Sequence, residues 1–187
     1  MFFFFSTVRT PPRARAIDGG YSVTRLGDPT YALEMVVNGP TRPQSRPGVR
    51  GGTFSFSRIY SPSSRNQHAM RAQMRTAFPG YVNPVYQNQA IDVDITFYMK
   101  RPLAHFVNGD RSNHLKAKHS GNYTPHVSTP DLDNMAKFVL DALTGFAYPD
   151  DRVVYKLSVC KIYDTVGDCL GRTKITVTPE IIDLTHM

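Results

Sequence analysis

Over residues 91–100 the chain alternates without a break. Ile91, Val93, Ile95, Phe97 and Met99 are apolar, and Asp92, Asp94, Thr96, Tyr98 and Lys100 stand between them. A period of two puts the first set on one side of an extended strand and the second set on the other. The segment therefore belongs to a sheet with one buried and one wet face, and Asp92 and Asp94 read as surface charges on the wet side. Such a strand needs partners for its backbone and an apolar layer over its inner face.

The rest of the sequence offers both. Tyr31, Leu33, Met35 and Val37 alternate in a first strand, and residues 53–60 place Phe54 and Phe56 on one face of a second. Between them lies a stiff basic loop containing Pro40, Arg42, Pro43, Arg46, Pro47 and Arg50. Pro62 and Ser63-Ser64 mark a helix start, and the spacing of Gln67, Met70, Met74 and Phe78 predicts a helix ending before Pro79-Gly80, with Arg65, Arg71 and Arg75 outward. Residues 101–129 form a long polar connection bearing His105, His114, His119 and His126 at irregular intervals, for which solvated or hydrogen-bonded roles outweigh metal binding. Met135, Phe138, Val139, Ala142 and Leu143 repeat at helical spacing, predicting a helix from near Asn134 to Gly145. Residues 152–163, with Val153, Tyr155, Leu157 and Val159 on one face, and residues 173–178 read as the last two strands. The expected architecture is α+β: a single domain over 31–181 with a mixed β-sheet flanked by two main helices. Residues 1–30, rich in Arg and Pro, read as a flexible extension, and 182–187 as a tail.

Bulk properties narrow the function classes. The net charge of +7, from 22 Lys+Arg against 15 Asp+Glu, favours a polyanionic partner, with nucleic acid ahead of a membrane. Cys160 and Cys169 are the two cysteines, too few for a disulfide framework and not spaced as a zinc set. The apolar run Met1-Phe2-Phe3-Phe4-Phe5 is too short for a signal core or a membrane span. These features predict a soluble, intracellular protein that does not engage a membrane.

Chemistry concentrates at the second helix. Asp131 and Asp133 precede or cap it, Lys137 follows one turn later, and Asp150-Asp151 stand at the head of the next strand after a short loop. In a basic chain, such carboxylates point to a hard divalent cation, with Mg²⁺ the natural occupant. Mg²⁺ held by Asp131, Asp133 and one of the tandem pair would position a phosphate and an attacking water, while Lys137 offsets developing charge: metal-assisted phosphodiester hydrolysis. Asp131, Asp133 and Asn134 are equally good capping residues, and Lys137 would serve as an i+4 partner of Asp133. The tandem pair on its short return loop tilts the balance toward catalysis.

The run Pro130-Asp131-Leu132-Asp133-Asn134, with Lys137, Asp141-Ala142-Leu143-Thr144-Gly145 and Tyr148 through Asp151, resembles the RusA family of Holliday junction resolvases. The Pro-rich stretch 39–47 and Tyr60-Ser61-Pro62 are similar to the family's N-terminal segment, so that the resemblance spans roughly 31–181. It implies a homodimeric, Mg²⁺-dependent endonuclease (Mn²⁺ a plausible substitute) that nicks four-way DNA junctions symmetrically. It further implies metal ligands at Asp131, Asp133 and Asp151, with Asp150 an alternative, and a catalytic lysine at Lys137. Thr129 stands where the family often has a basic residue. Arg42, Arg46, Arg50, Lys100, Arg101, Lys116 and Lys118, grouped in the two loops flanking the central strand, are the candidate DNA contacts. Two further readings remain open: a branched-DNA-binding protein that does not cut, and another Mg²⁺-dependent nucleotide-processing enzyme, which lacks a glycine-rich phosphate loop here.

Overall fold

A computed structural model describes residues 22–26, 32–39, 48–50, 58–60, 63–81, 84–111, 113–121, 123–165 and 170–180. Its strands are β1 (Ser22–Arg25), β2 (Leu33–Asn38), β3 (Gly48–Arg50), β4 (Arg58–Tyr60), β5 (Ile91–Met99), β6 (Val154–Tyr163) and β7 (Arg172–Pro179). Its two α-helices are α1 (Ser64–Ala77) and α2 (Leu132–Leu143). Five strands form one sheet in the order β1-β2-β7-β5-β6, and β3 pairs with β4 in a separate hairpin. Every contact in the large sheet is antiparallel except β5 with β6. Parallel neighbours need a crossover, and α2 supplies it. The mixed sheet with two helices agrees with the architecture expected from the sequence.

The alternation on β5 holds residue by residue: Ile91, Val93, Ile95, Phe97 and Met99 are buried and the intervening residues are not. Leu33, Met35 and Val37 of β2 and Ile175 and Val177 of β7 extend the same face. Met70, Met74 and Phe78 from α1 and Met135, Phe138, Val139, Ala142 and Leu143 from α2 join it in one cluster, so both helices cover one side of the sheet. Each of the larger of these side chains (Val, Leu, Ile, Phe and Met) contributes roughly 1.5–3 kcal/mol on burial.

Several expectations are corrected. Ser22–Arg25, inside the segment read as an extension, forms the edge strand β1 by pairing with Met35–Asn38. Its four residues are too few to show periodicity, and the ladder to β2 holds it. Arg71 does not face outward: its guanidinium donates to the carbonyls of Asp141 (2.6 Å) and Ala142 (3.1 Å) at the end of α2. Asp92 is not an isolated surface charge, because Lys156 on the neighbouring strand meets it at 2.6 Å. On β6, Tyr155 and Leu157 are 55% and 43% exposed, because β6 ends the sheet. Phe54 and Phe56 lie outside the described residues.

The long connection after β5 is built from its own contacts. Three short 3₁₀ turns (Leu103–His105, Val107–Gly109 and Ala117–His119) punctuate it. Phe106 is buried and bridges Leu115, and the carbonyl of His105 accepts from the N–H of Lys116 at 2.9 Å. The chain then runs beside the end of β6, where Pro125 bridges Ile162 and Thr124 accepts from Tyr163.

Candidate active site

Asp131 is the N-cap of α2, with extended backbone (φ −69°, ψ 142°), and its carbonyl accepts the N–H of Met135 at 3.2 Å. The helix begins at Leu132, two residues earlier than its apolar repeat suggested, so Asp133 sits within the first turn rather than before it. An acidic side chain there complements the positive end of the helix. The carboxylate of Asp131 makes no capping hydrogen bond. Asp133 and Lys137 share the exposed side of the helix one turn apart, yet no ion pair within 4.0 Å joins them among the described residues. The two simplest structural uses of these side chains, capping and i+4 pairing, are therefore not made.

Lys161 fixes the approach to this helix. From β6 its ammonium donates to the carbonyls of Ser128 and Pro130, each at 2.6 Å. The Thr129–Pro130 peptide between these bonds is cis. Asp131, Leu132 and Lys161 line an open cleft with residues 126–129. Lys161 has a signal in the sequence: it continues the parity of Leu157 and Val159, so a cation occupies the helix-facing side of β6.

The tandem aspartates lie elsewhere. After α2 the chain turns at Gly145 (φ 76°), whose N–H donates to the carbonyl of Tyr148 at 2.7 Å. The Tyr148 hydroxyl donates to the carbonyl of Leu140 at 3.2 Å. Burial first, then the charges of Asp151 and Asp141, push that phenol well above its ordinary range. The Asp150 carboxylate accepts the N–H of Arg152 at 3.0 Å and caps the 3₁₀ turn Asp151–Val153 that opens β6. Because α2 runs back along β6, its beginning is tied to Lys161 and its end to the loop before Val154. That stretch of strand spans about 23 Å.

One chain thus brings Asp131, Asp133 and Lys137 to one end of α2 and leaves Asp150 and Asp151 at the other. Among the described residues, no group of three or more His, Cys, Asp or Glu could hold a metal ion. The expected ligand set of Asp131, Asp133 and Asp151 (or Asp150) is not assembled within a single chain. The short return loop leads to the start of a strand antiparallel to the helix rather than back to the helix's own start.

The candidate DNA contacts divide. Lys100 and Lys118 are exposed; Lys116 is half-buried, its ammonium donating to the carbonyl of Ala104 at 2.9 Å. Arg101 is fully buried, its guanidinium over the Tyr163 ring and bonded to the carbonyl of Asp164, so it is not a surface phosphate contact. Its odd number continues the buried parity of β5 by one step, which was the available signal. Arg42 and Arg46 lie outside the described residues, and for Arg50 the strand β3 is described but not the side chain. His105 stacks on His119 with ring centroids 3.8 Å apart, and His105 and His126 both meet Tyr163 edge-on. No helix among the described residues is long and apolar enough to cross a membrane.

No curated protein matches this chain. The profile of the family described as endodeoxyribonuclease RusA matches residues 38–178, from the last residue of β2 into β7, and so takes in both helices and the βαβ crossover that carries the acidic motif. Divalent metals are generally used by nucleases of that family. A match over well over half of the 187 residues, on a five-stranded mixed sheet with two helices, establishes that the chain belongs to the RusA endodeoxyribonucleases, the Holliday junction resolvases.

Proposed function

We propose that this resolvase acts as a homodimer and nicks four-way DNA junctions symmetrically in a Mg²⁺-dependent reaction, with Mn²⁺ able to substitute. The observation that carries this reading is the open presentation of Asp131, Asp133 and Lys137 at the start of α2, with capping and i+4 pairing both unused. Lys137 is the group that offsets charge on the phosphorane-like transition state or the leaving oxygen. Asp131 and Asp133 are acidic groups suited to a hard cation, and Asp151 completes the set the reaction requires. One chain does not gather these carboxylates among the described residues.

Lys100, Lys116 and Lys118, with Arg42, Arg46 and Arg50, are the proposed phosphate contacts, and they make junction binding steeply salt-dependent. A two-fold dimer offers two equivalent sites to a substrate of matching symmetry, so paired nicks follow. The protein works as a soluble, intracellular enzyme. The test is cleavage of a synthetic four-way junction with EDTA, Mg²⁺ or Mn²⁺, with linear duplex as control. Paired nicks in the junction alone, dependent on the cation, are expected. Junction binding without cleavage, or equal cutting of linear duplex, overturns the reading.

A further inference from the structure

We propose that Arg101 forms the heart of a phosphate-binding site, closed in this structure by His105 and His119 and uncovered when residues 103–120 lift away from Tyr163. The ligand class is a phosphate group, carried on a DNA backbone or free in solution.

An unpaired buried cation carries the proposal. Arg101 is 0% exposed. Its Nε donates to the carbonyl of Asp164, and its guanidinium lies over the Tyr163 ring, 5.5 Å from the centroid. Nη1 and Nη2 are buried and meet no acceptor among the described residues. The Asp164 carboxylate is used otherwise: it accepts the N–H of Gly171 at 3.2 Å and pairs with Arg172 at 3.3 Å. Burying a guanidinium without a counter-charge is costly, and a bound anion offsets that cost. The two unpaired nitrogens form one side of the guanidinium fork, which matches two oxygens of a phosphate.

The surroundings select an anion. From residue 100 to residue 128 the chain has one carboxylate, Asp110, against Lys100, Arg101, Arg111, Lys116 and Lys118. Burial and then neighbouring charge, that of Arg101 included, hold the imidazoles of His105 and His119 below their ordinary value. The Nδ1 atoms of His105 and His126, whose rings meet Tyr163 edge-on, are also buried and without a hydrogen-bond partner among the described residues. Unpaired polar nitrogens thus gather around one ring, and the guanidinium among them repels a cation.

The cover is built to part from the sheet. Every backbone hydrogen bond of residues 103–120 among the described residues ends within 102–120, and so do those from the side chains of Asn113 and Lys116. Ties to the body run through the Arg111 guanidinium on the Arg101 carbonyl and the His105 ring against Tyr163. A segment whose bonds are internal opens locally without disturbing the core.

The test is binding in EDTA, which is independent of how the carboxylates assemble. In wild-type protein with isotopically labelled arginine, inorganic phosphate is expected to shift the Arg101 Nε–H resonance saturably, at an ionic strength held constant with chloride. The same saturable shift with junction DNA assigns the ligand to the backbone; a response to inorganic phosphate alone assigns it to the free ion. A resonance that moves with neither, or only in proportion to those of the exposed Arg65 and Arg152, overturns the site. Arg101→Met keeps the stem and removes the charge. In chloride it is expected to melt no lower than wild type, because an unpaired buried cation is lost. Phosphate is expected to raise the melting temperature of wild type and not of the variant. Where the backbone is the ligand, the variant's junction affinity falls by about tenfold and its slope of log K against log salt shrinks by about one. Arg101→Lys, which loses the fork, recovers only part of that affinity. An Arg101→Met protein that melts lower in chloride and binds the junction with an unchanged salt slope marks Arg101 as a structural cation and ends the proposal.

Discussion

The ammonium of Lys161 donates to the carbonyl of Pro130 at 2.6 Å, binding the end of β6 to the residue that immediately precedes Asp131. With the second bond to Ser128, one side chain holds both sides of the Thr129 turn. Lys161→Met keeps the aliphatic stem and removes both bonds. The expected result is a fall in kcat of at least about tenfold with little change in junction KM, because such small displacements of a reacting group act on rate. Stability is expected to fall by about 1 kcal/mol, discounted for solvent access to the ammonium. Lys161→Arg should restore part of the rate. Steady-state cleavage and thermal unfolding of the three proteins would check this, and unchanged kcat in Lys161→Met would remove the positioning role.

Asp133→Asn and Lys137→Ala separate chemistry from binding. Among the described residues neither side chain makes a hydrogen bond or an ion pair, so both variants should melt within about 0.5 kcal/mol of wild type. Cleavage should fall by roughly 10²–10³-fold or more. Gel-shift affinity for the junction should hold in Asp133→Asn and weaken slightly in Lys137→Ala. A parallel loss of binding and cleavage would count against catalytic roles.

Arg71 and Arg75 clamp the end of α2 from α1. Arg71 bonds the carbonyls of Asp141 and Ala142, Arg75 bonds that of Gly145 at 3.1 Å, and Gln67 donates to the Asp141 carboxylate at 3.0 Å. The last carbonyls of a helix lack intrahelical partners, and cations suit that terminus. Arg71→Met should destabilise the protein by about 1–3 kcal/mol in urea unfolding, and Arg75→Met, at an exposed position, by less. Equal stabilities would show that water replaces the guanidinium without loss.

His105 and His119 predict a pH dependence. Desolvation, followed by neighbouring charge, holds both imidazoles below their ordinary value; each lies near Arg101, Lys116 and Lys118, and His119 adds to the effect on His105. His126, beside Lys161, is lowered too. A base whose folded value is depressed favours the neutral form, so its contribution is complete above the unfolded value near 6.5. As pH falls through that value the unfolded chain takes up protons first, and stability declines. The melting temperature should drop between pH 7.5 and 5.5, with faster amide exchange in residues 103–120. The slope should flatten in a chain carrying His105→Phe and His119→Phe. A flat profile in the wild type would refute the assignment.

The elements were legible where periodicity was clean. The alternation on β5 and the 3.6-residue repeat of α2 appear in the structure, because each is set by a face buried in one cluster. Gln67, Met70, Met74 and Phe78 form the buried stripe of α1 as read from spacing. What failed was non-local. Ser22–Arg25 joins the sheet through a ladder to β2, and Arg71 turns inward because unpaired carbonyls of α2 stand across from it. The separation of Asp131 from Asp151 depends on the direction of α2 against β6. A list of residues with correct spacings carries no such direction.

The place of β7 between β2 and β5 has a kinetic corollary. Leu33 pairs with Val177 and Ile91 with Pro179, so two strands formed from early sequence are joined by one that leaves the ribosome long after them. Until Arg172–Pro179 is made, neither β2 nor β5 has its shared neighbour, and closing those distant contacts is slow. Nascent chains should therefore depend on protection from self-association, and a stop codon shortly before Arg172 should yield insoluble product rather than a weakened enzyme.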